Sequence, residues 1–307
     1  MAVSVSASLL VLMLTTRLFQ SFIFGPLDFV FIMLPIGILG VKCIVGVLLS
    51  SESGTDENPD TIKYLAAFFQ PLLKIMRDWF PFLLLNTCYY SLYSNLILRI
   101  KPHLADSILS KIDGFILGNQ ASFLLEPFIR PWLTDFFNAI YFSHVLFFPG
   151  VALYFYLAKE EKAFRRLMMG YLTLFLMGIV SYILVPAIGP DKFFADRFTR
   201  DMNGDTLIRG LDYIMRTGHV SFDCFPSLHV AIPLLVLFYL RDYRRKMFVP
   251  VLIYVALMCF TTIYLRYHYL IDVIAAFAFA PAAYWLNDFL LNRWPGEKIQ
   301  KPPAKSI

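Results

Sequence analysis

The sequence contains few charged residues: 16% of its 307 residues are Asp, Glu, Lys or Arg, whereas 58% are hydrophobic. Soluble domains carry about a quarter charged residues, so this deficit argues against a fold surrounded by water. The apolar residues form stretches near or beyond the ~20 residues that a helix needs to cross hydrocarbon. The alternation over roughly ten residues that is typical of barrel strands is absent. We therefore predict an all-α fold, a polytopic membrane helix bundle whose helices satisfy their own backbone in lipid.

Several other features are missing. The four cysteines, Cys43, Cys88, Cys224 and Cys259, have no metal-ligand spacing, so we interpret them as small buried residues and expect no disulfide framework. No Walker loop, glycine-rich nucleotide loop or HExxH motif occurs, and we predict neither a cofactor nor a metal. The net charge of +5 gives no reason to expect nucleic acid as a partner. The beginning of the chain lacks a basic start and a small-residue cleavage site, which predicts a retained membrane segment.

Length and hydropathy predict about eight transmembrane helices. They cover roughly residues 3–24, 26–49, 79–98, 133–158, 164–186, 227–240, 247–266 and 268–291. The span at 227–240 is short and crosses only if Phe222–Pro226 also enter the membrane. Residues 61–77 and 101–131 mix apolar and charged residues, a pattern that predicts helices on the membrane surface.

The same pattern predicts three regions. Residues 1–78 hold two transmembrane helices and a cytoplasmic linker, 79–292 form a six-helix membrane domain, and 293–307 are a disordered basic tail.

Basic residues then predict the orientation of the chain in the membrane. They cluster at Lys159, Lys162, Arg165 and Arg166, at Arg241, Arg244, Arg245 and Lys246, and at Arg293, Lys298, Lys301 and Lys305. All three clusters fall on one side, which we predict to be cytoplasmic together with both termini. The loop at 187–226, the turn near 266–268 and the 101–131 helices then face the periplasm or the lumen.

One apolar segment, TTIYLRYHYLIDVIAAFA, contains His268 and Asp272. An ionisable residue at the bilayer centre costs up to about 2.5–3.5 kcal/mol, so residues of this kind need an explanation. The spacing predicts that both lie on one face of a helix, one turn apart. A carboxylate in that position accepts the hydrogen bond from one ring nitrogen and leaves the other nitrogen as a nucleophile.

A second segment, CFPSLHVAIP, contains His229 directly after Pro226 and Ser227. Proline and serine are typical of helix starts, and a helix N-terminus offers free N–H groups to an anion such as phosphate. The predicted topology brings both histidines to the same, non-cytoplasmic face of the membrane. His144 is interpreted as a packing residue, His219 as a solvated loop residue and His103 as an interfacial one.

PSLH followed about forty residues later by HYLID resembles the second and third signatures of the type 2 phosphatidic acid phosphatase superfamily. Within that superfamily, the sequence is more similar to the branch that contains the inositol phosphorylceramide synthases and their bacterial relatives than to the phosphatases. It shares segments like TIYLRYHY at 262–269, VPAIGP at 185–190 and LEPFIRPWLTDFF at 125–137. The resemblance covers roughly residues 80–290 and implies a six-helix phosphatidic acid phosphatase-like core.

The resemblance also implies roles for three residues. His268 would attack phosphorus and become a phosphohistidine, and Asp272 would orient it. His229 would protonate the leaving alkoxide and then deprotonate the acceptor, which agrees with the chemistry expected of the residues themselves. Phosphoryl transfer also needs cations around the equatorial oxygens, for which we select Arg266 and then Lys192, with Ser227 as a further phosphate contact.

The chain departs from the phosphatase pattern at two positions. Thr262 stands where the third signature has an arginine six residues before its histidine, as expected of the synthase-like branch. Arg130 and Pro131 match the end of the first signature, but Phe123 stands where its lysine should be. The phosphate contacts must therefore come from other residues.

Three hypotheses for the function remain open from the sequence. The first is a lipid phosphotransferase that moves a phospho-headgroup, similar to phosphoinositol, from a phospholipid donor to a lipid alcohol such as ceramide or diacylglycerol. The second is a lipid phosphatase that uses the same residues with water as acceptor, for example on a phosphatidate or polyprenyl phosphate. The third is a non-enzymatic transporter. Two observations argue against it: the ionisable residues collect at one face of the membrane, and they form no chain across its middle.

Overall fold

The computed structural model describes residues 70, 73–86, 89, 103–202 and 222–293. The chain divides into two compact units, Met1–Leu92 and Tyr93–Ile307. In the first unit, residues 73–86 are helical, and Ile75, Trp79 and Phe82 recur on the buried face at the three-to-four-residue spacing of a helix. The first two predicted spans lie outside the described residues.

The second unit is built from helices. In chain order they are α1 Asp106–Leu117, α2 Ala121–Leu125, α3 Pro131–Leu157, α4 Glu161–Leu184, α5 Pro190–Phe193, α6 Leu228–Tyr243, α7 Phe248–Tyr264 and α8 Leu270–Arg293. Among the described residues there is no strand, only an isolated bridge between Ala187 and Asp223. The all-helical prediction is therefore confirmed for this part of the chain.

Four stretches in the described part of the chain are long and apolar enough to cross a membrane: Pro131–Leu157, Glu161–Leu184, Arg245–Tyr264 and Leu270–Arg293. They match four of the predicted spans within a few residues, so the protein is a membrane protein. Their outer faces expose large apolar side chains such as Ile253 and Trp285, as expected for contact with lipid. The predicted total of eight spans and the six-helix core stay predictions.

Helix α6 occupies the centre of the second unit and packs against α3, α4, α7 and α8. Most of its side chains are buried, which explains its nearly continuous apolar sequence. Small residues on α4 permit the close approach: a Cβ at Gly178 would lie 2.7 Å from Leu228 Cδ1, and one at Gly170 only 2.2 Å from the Tyr239 hydroxyl. With 16 residues, α6 is about 24 Å long.

A buried polar network joins α4, α6 and α8 at the end of α6 that is distant from His229. The Arg166 guanidinium is only 3% exposed and pairs with Asp288 and, at 3.7 Å, with Asp242. It also donates a hydrogen bond to the Tyr243 hydroxyl at 3.0 Å. The sequence placed Arg166 in a basic loop cluster, whereas in the structure its charge is buried and compensated by two carboxylates.

Candidate active site

The turn between α7 and α8 places His268. Helix α7 ends in a Schellman motif, in which the Tyr267 N–H donates to the Thr262 carbonyl at 3.0 Å and the Arg266 N–H to the Ile263 carbonyl at 3.1 Å. Arg266 takes the left-handed conformation that this motif requires, with φ of 65°. The His268 N–H also reaches the Thr262 carbonyl, at 3.2 Å. The backbone of this turn is therefore fixed directly before the histidine.

Helix α8 begins at Leu270, so the prediction that His268 and Asp272 share one helix is wrong. The Schellman motif ends α7, and the chain turns through His268 before the new helix starts. Asp272 lies in the first turn of α8 and its Oδ2 accepts the Tyr269 N–H at 2.8 Å. Asp113 on α1 accepts the next two N–H groups, those of Leu270 and Ile271. Two carboxylates thus satisfy the N–H groups that a helix start leaves without partners.

The two ring nitrogens of His268 have different surroundings. Nδ1 lies 2.8 Å from the carbonyl oxygen of Cys224 and 3.4 Å from Asp272 Oδ2. Because a carbonyl oxygen only accepts, Nδ1 carries the ring proton in this geometry and Nε2 has the lone pair. Nε2 faces His229 Nδ1 at 3.1 Å. The arrangement is that of a nucleophile whose tautomer is fixed on one side and whose reacting nitrogen faces a possible acid or base.

Cys224 holds both members of the His268–Asp272 pair. Its backbone carbonyl accepts from His268, and its thiol donates to Asp272 Oδ2 at 2.9 Å. Burial, together with the neighbouring Asp272 carboxylate, raises the pKa of the Cys224 thiol well above its usual value. The thiol therefore stays protonated and remains a hydrogen-bond donor to the carboxylate.

His229 lies in the first turn of α6, which begins at Leu228 as the Pro226-Ser227 pair predicted. Two side chains of α3 contact its ring: the Tyr141 ring centroid is 4.6 Å away and that of His144 is 4.7 Å away. Tyr141 is also stacked on Tyr267, at 4.5 Å. Helix α3 thus restricts the orientation of the His229 ring, and Tyr141 connects it to the α7–α8 turn.

Asp106, the first residue of α1, binds the VPAIGP segment and holds it beside the α7–α8 turn. Its carboxylate accepts the N–H groups of Ile188 and Gly189 and the hydroxyl of Tyr269, all at 2.9–3.0 Å. Burial raises the pKa of Asp106 in spite of these three donors. Gly189 has a φ of +84°, and a Cβ there would lie 2.6 Å from the Tyr267 carbonyl oxygen. The glycine therefore allows the segment to pass directly beside the turn that carries His268.

The predicted phosphate contacts are distributed around this centre. Ser227 is fully buried at the start of α6, and its backbone N–H donates to the Asp272 carbonyl at 3.1 Å. Its hydroxyl has no hydrogen-bond partner within the described ranges. Lys192 is exposed on α5, a short helix whose Asp191 N–H donates to the Arg266 carbonyl at 2.8 Å.

Arg266 lies two residues before His268, and its guanidinium contacts the 198–200 segment. It stacks on the Phe198 ring at 3.6 Å, donates to the Arg200 carbonyl at 2.8 Å and lies 3.5 Å from Glu126 Oε1. Burial acts to raise the pKa of Glu126, but the N–H groups of Arg200 and Thr199 and the charge of Arg266 lower it below its usual value. Glu126 is therefore an ionised partner of Arg266.

The sequence did not single out Cys224, Asp106, Asp113, Tyr141 or His144 as site residues. Four of these residues form two pairs whose spacing in the sequence indicates a shared helix face. Asp106 and Asp113 are seven residues apart on one helix, and Tyr141 and His144 are three apart, so each pair shares a helix face. Cys224 carries no such signal, because its partners lie more than forty residues further along the chain.

A family model described as PAP2 superfamily matches residues 116–286, more than half of the chain. The match contains Cys224, His229, His268 and Asp272, whereas Asp106 and Asp113 precede it. The chain belongs to the PAP2 superfamily, and it is an enzyme of the type 2 phosphatidic acid phosphatase superfamily. Neither the curated proteins nor the solved structures give a match. The resemblance seen in the sequence is thus confirmed at the level of the superfamily, whereas the inositol phosphorylceramide synthase-like branch stays a prediction.

Proposed function

We propose that this enzyme moves a phospho-headgroup, such as phosphoinositol, from a phospholipid donor to a lipid alcohol such as ceramide or diacylglycerol. The observation that carries the proposal is the pairing of His268 Nε2 with His229 Nδ1 at 3.1 Å, with the other nitrogen of His268 held by the Cys224 carbonyl. A nucleophile beside an acid–base group is what a two-step phosphoryl transfer needs.

In the first step, His268 Nε2 attacks the donor phosphorus and the bond from phosphorus to the diacylglycerol oxygen breaks. Protonated His229 gives its proton to that leaving oxygen, so diacylglycerol departs as the neutral alcohol. The headgroup phosphate remains on His268 as a phosphohistidine. Asp272, close to Nδ1, stabilises the positive charge that develops on the ring.

In the second step, the hydroxyl group of the acceptor lipid loses its proton to His229 and its oxygen attacks phosphorus. The bond between phosphorus and Nε2 breaks, and His268 returns to its neutral form. Arg266, Ser227 and Lys192 are the proposed contacts for the phosphate oxygens, with the buried Ser227 hydroxyl at the start of α6 as the nearest in sequence to His229. We propose no metal or cofactor in either step.

A lipid acceptor in place of water is supported by burial and by the sequence. His268 is 3% exposed and Asp272 is fully buried, and a site shielded from water protects a reactive phosphohistidine from hydrolysis. Thr262, which replaces the arginine of the phosphatase signature, favours the synthase-like branch. The same chemistry with water as acceptor defines the alternative, a lipid phosphate phosphatase.

We also propose that both termini are cytoplasmic and that the site faces the periplasm or the lumen. In support, α6 and α7 are joined near Arg244 and Arg245, at the ends of these helices that are distant from His229 and His268. A basic connection on the opposite side from the histidines agrees with the positive-inside rule.

The test compares purified wild-type protein, His268→Ala and His103→Ala in detergent with mixed phospholipids, with and without ceramide or diacylglycerol. His103 is an exposed histidine and serves as the matched control. Mass spectrometry should detect a new headgroup-bearing lipid that requires both the acceptor and His268. Release of phosphate that needs His268 but no acceptor would establish the phosphatase instead. Turnover that survives in His268→Ala would remove His268 from the mechanism.

A further inference from the structure

Three potential metal ligands meet on the side of His268 that faces away from His229. They are the Cys224 thiol, His268 Nδ1 and a carboxylate oxygen of Asp272, all within 4.8 Å of one another. The side chains are 4%, 3% and 0% exposed. Thiolate, imidazole and carboxylate are the ligand types that bind Zn²⁺ in proteins.

The distances between the ligand atoms suit a tetrahedral ion. Bond lengths of about 2.0–2.3 Å at tetrahedral angles place sulfur and nitrogen ligands about 3.6 Å apart and nitrogen and oxygen ligands about 3.4 Å apart. In the structure, Cys224 Sγ lies 3.6 Å from His268 Nδ1, which in turn lies 3.4 Å from Asp272 Oδ2. The distance from Cys224 Sγ to Asp272 Oδ2 is 2.9 Å, a hydrogen bond that opens when its proton is replaced by the ion.

A second observation also indicates a ligand at this place. Asp272 Oδ1 is buried and has no hydrogen-bond partner in the part of the chain that the structure describes. A buried carboxylate oxygen normally accepts a hydrogen bond or binds a cation, because desolvation without a partner costs about 1–3 kcal/mol or more. The carboxylate therefore has acceptor capacity beyond its bonds to Cys224 and Tyr269.

We propose that Cys224, His268 and Asp272 form an inhibitory Zn²⁺ site, with a water molecule as the fourth ligand. The thiol is protonated in the absence of metal, and the ion replaces both its proton, which passes to solvent, and the hydrogen bond from His268 Nδ1 to the Cys224 carbonyl. The thiolate and the Asp272 carboxylate then neutralise the two charges of the ion. An electrically neutral cluster is compatible with this degree of burial, whereas an uncompensated divalent ion is not. The site is not part of the catalytic cycle, which uses the opposite nitrogen of His268.

Zinc on Nδ1 changes the tautomer of His268. Neutral imidazole has one ring proton, so an ion at Nδ1 moves that proton to Nε2. Nε2 then has no lone pair for phosphorus and donates to His229 instead. Inhibition rests on the proposed function of His268 as the nucleophile, but binding of the ion does not.

Binding is tested with Co²⁺, which reports a thiolate ligand through a charge-transfer band in the near ultraviolet and tetrahedral geometry through visible bands. Wild type, Cys224→Ser and Cys259→Ser are purified without a histidine tag and titrated. Cys259, the other cysteine in the described part, is the matched control. The band should appear in wild type and Cys259→Ser, disappear in Cys224→Ser and be displaced by Zn²⁺. Serine keeps a hydroxyl donor for Asp272, and helical circular dichroism checks that each variant is folded.

Inhibition is measured as the lipid product formed at increasing free Zn²⁺, relative to the uninhibited rate of each variant, with recovery by a chelator. The half-inhibitory concentration should rise at least about a hundredfold in Cys224→Ser. Losing a residue that only hydrogen-bonds to a metal ligand already costs about 10–100-fold in metal affinity, and Cys224 is itself a ligand. Zinc-edge absorption of the wild type should show one sulfur neighbour at about 2.3 Å, which tests the site without any variant. A wild type that binds no metal through sulfur, or equal inhibition of both cysteine variants, overturns the proposal. A sulfur-bound ion in a protein with no His268-dependent turnover would support the site and remove the proposed function.

Discussion

The Asp113 carboxylate accepts a hydrogen bond from the Leu270 N–H at 2.7 Å, across 157 residues of sequence. The same carboxylate accepts the Ile271 N–H at 2.9 Å. Burial raises the pKa of Asp113, although these two N–H donors act in the opposite direction. A side chain of α1 therefore caps the helix whose first turn contains Asp272, and it couples α1 to the position of the carboxylate that we propose to be catalytic.

Replacing Asp113 should weaken both the fold and the reaction. Asp113→Ala leaves two N–H groups of α8 without their acceptor, and loss of a helix cap costs about 0.5–2 kcal/mol. We expect a lower thermal unfolding midpoint in detergent and at least a tenfold lower kcat, because the first turn of α8 positions Asp272. Lys111→Ala is the control, since Lys111 is exposed on the same helix. Equal behaviour of the two variants would show that the cap does not position the site.

The sequence predicted what depends on local pattern and missed what depends on tertiary contacts. Hydropathy located four spans, and Pro226-Ser227 located the start of α6, because both are properties of neighbouring residues. The roles of Asp113 and Cys224 arise only when segments 157 and 48 residues apart meet. The turn near 266–268 was predicted, but the following span was expected to begin at 268, because Tyr269 and Leu270 continue the apolar pattern of a helix. The capping carboxylates show that α8 begins at Leu270.

Gly189 should not tolerate alanine, although Gly118 should. Both glycines have a positive φ, but their ψ angles differ. Gly118, with ψ of −9°, lies near the left-handed helical region, where a Cβ costs about 1–2 kcal/mol. Gly189, with ψ of 163°, lies in a region that essentially only glycine adopts. At Gly118 nothing lies within 4 Å of the added Cβ, whereas at Gly189 it meets the Tyr267 carbonyl oxygen at 2.6 Å. Gly189→Ala therefore combines a larger backbone strain with a clash, and Gly118→Ala is the control for an alanine at a positive φ alone. We expect Gly189→Ala alone to lose most of its activity, measured as lipid product per folded protein, because Tyr267 precedes His268. Comparable losses in both variants would show that the close approach of Gly189 to Tyr267 does not position His268.

Arg166 should be needed for stability and not for the chemistry. Arg166→Met removes the cation that pairs with Asp288 and leaves Asp242 with the exposed Arg241 at 3.4 Å. Breaking a buried ion pair costs about 3–5 kcal/mol. The thermal midpoint should fall strongly, whereas Arg165→Met, at an exposed neighbouring position, should leave it unchanged. At low temperature the folded fraction of Arg166→Met should keep its rate, since Asp242 lies about 20 Å along α6 from His229. A rate loss without a stability loss would contradict this assignment.

Arg266 contacts Glu126 and is also a proposed contact for the donor phosphate, and the two roles predict different behaviour of variants. Glu126→Gln removes the charge opposite Arg266 but keeps an oxygen for the Thr199 and Arg200 N–H groups. If Arg266 binds phosphate, Arg266→Ala should lower kcat/KM at least tenfold, because a hydrogen bond to a charged group contributes about 1.5–3 kcal/mol. Glu126→Gln should then keep kcat/KM within about threefold of wild type.

The two single variants, compared with each other, distinguish the phosphate role from a structural one, and the double variant tests whether their effects add. If Arg266 acts only through Glu126, the two single variants should lose similar activity and the double variant should be no worse than either. If Arg266 binds the donor, the double variant should be as impaired as Arg266→Ala, and the loss should depend on the arginine alone. Both side chains of this pair are largely buried, 5% and 12% exposed, so Arg266→Ala should also lower the thermal midpoint, and activity is compared per folded protein. Kinetics with a fixed acceptor and varied donor phospholipid therefore decide whether Arg266 stabilises the fold or binds the donor phosphate.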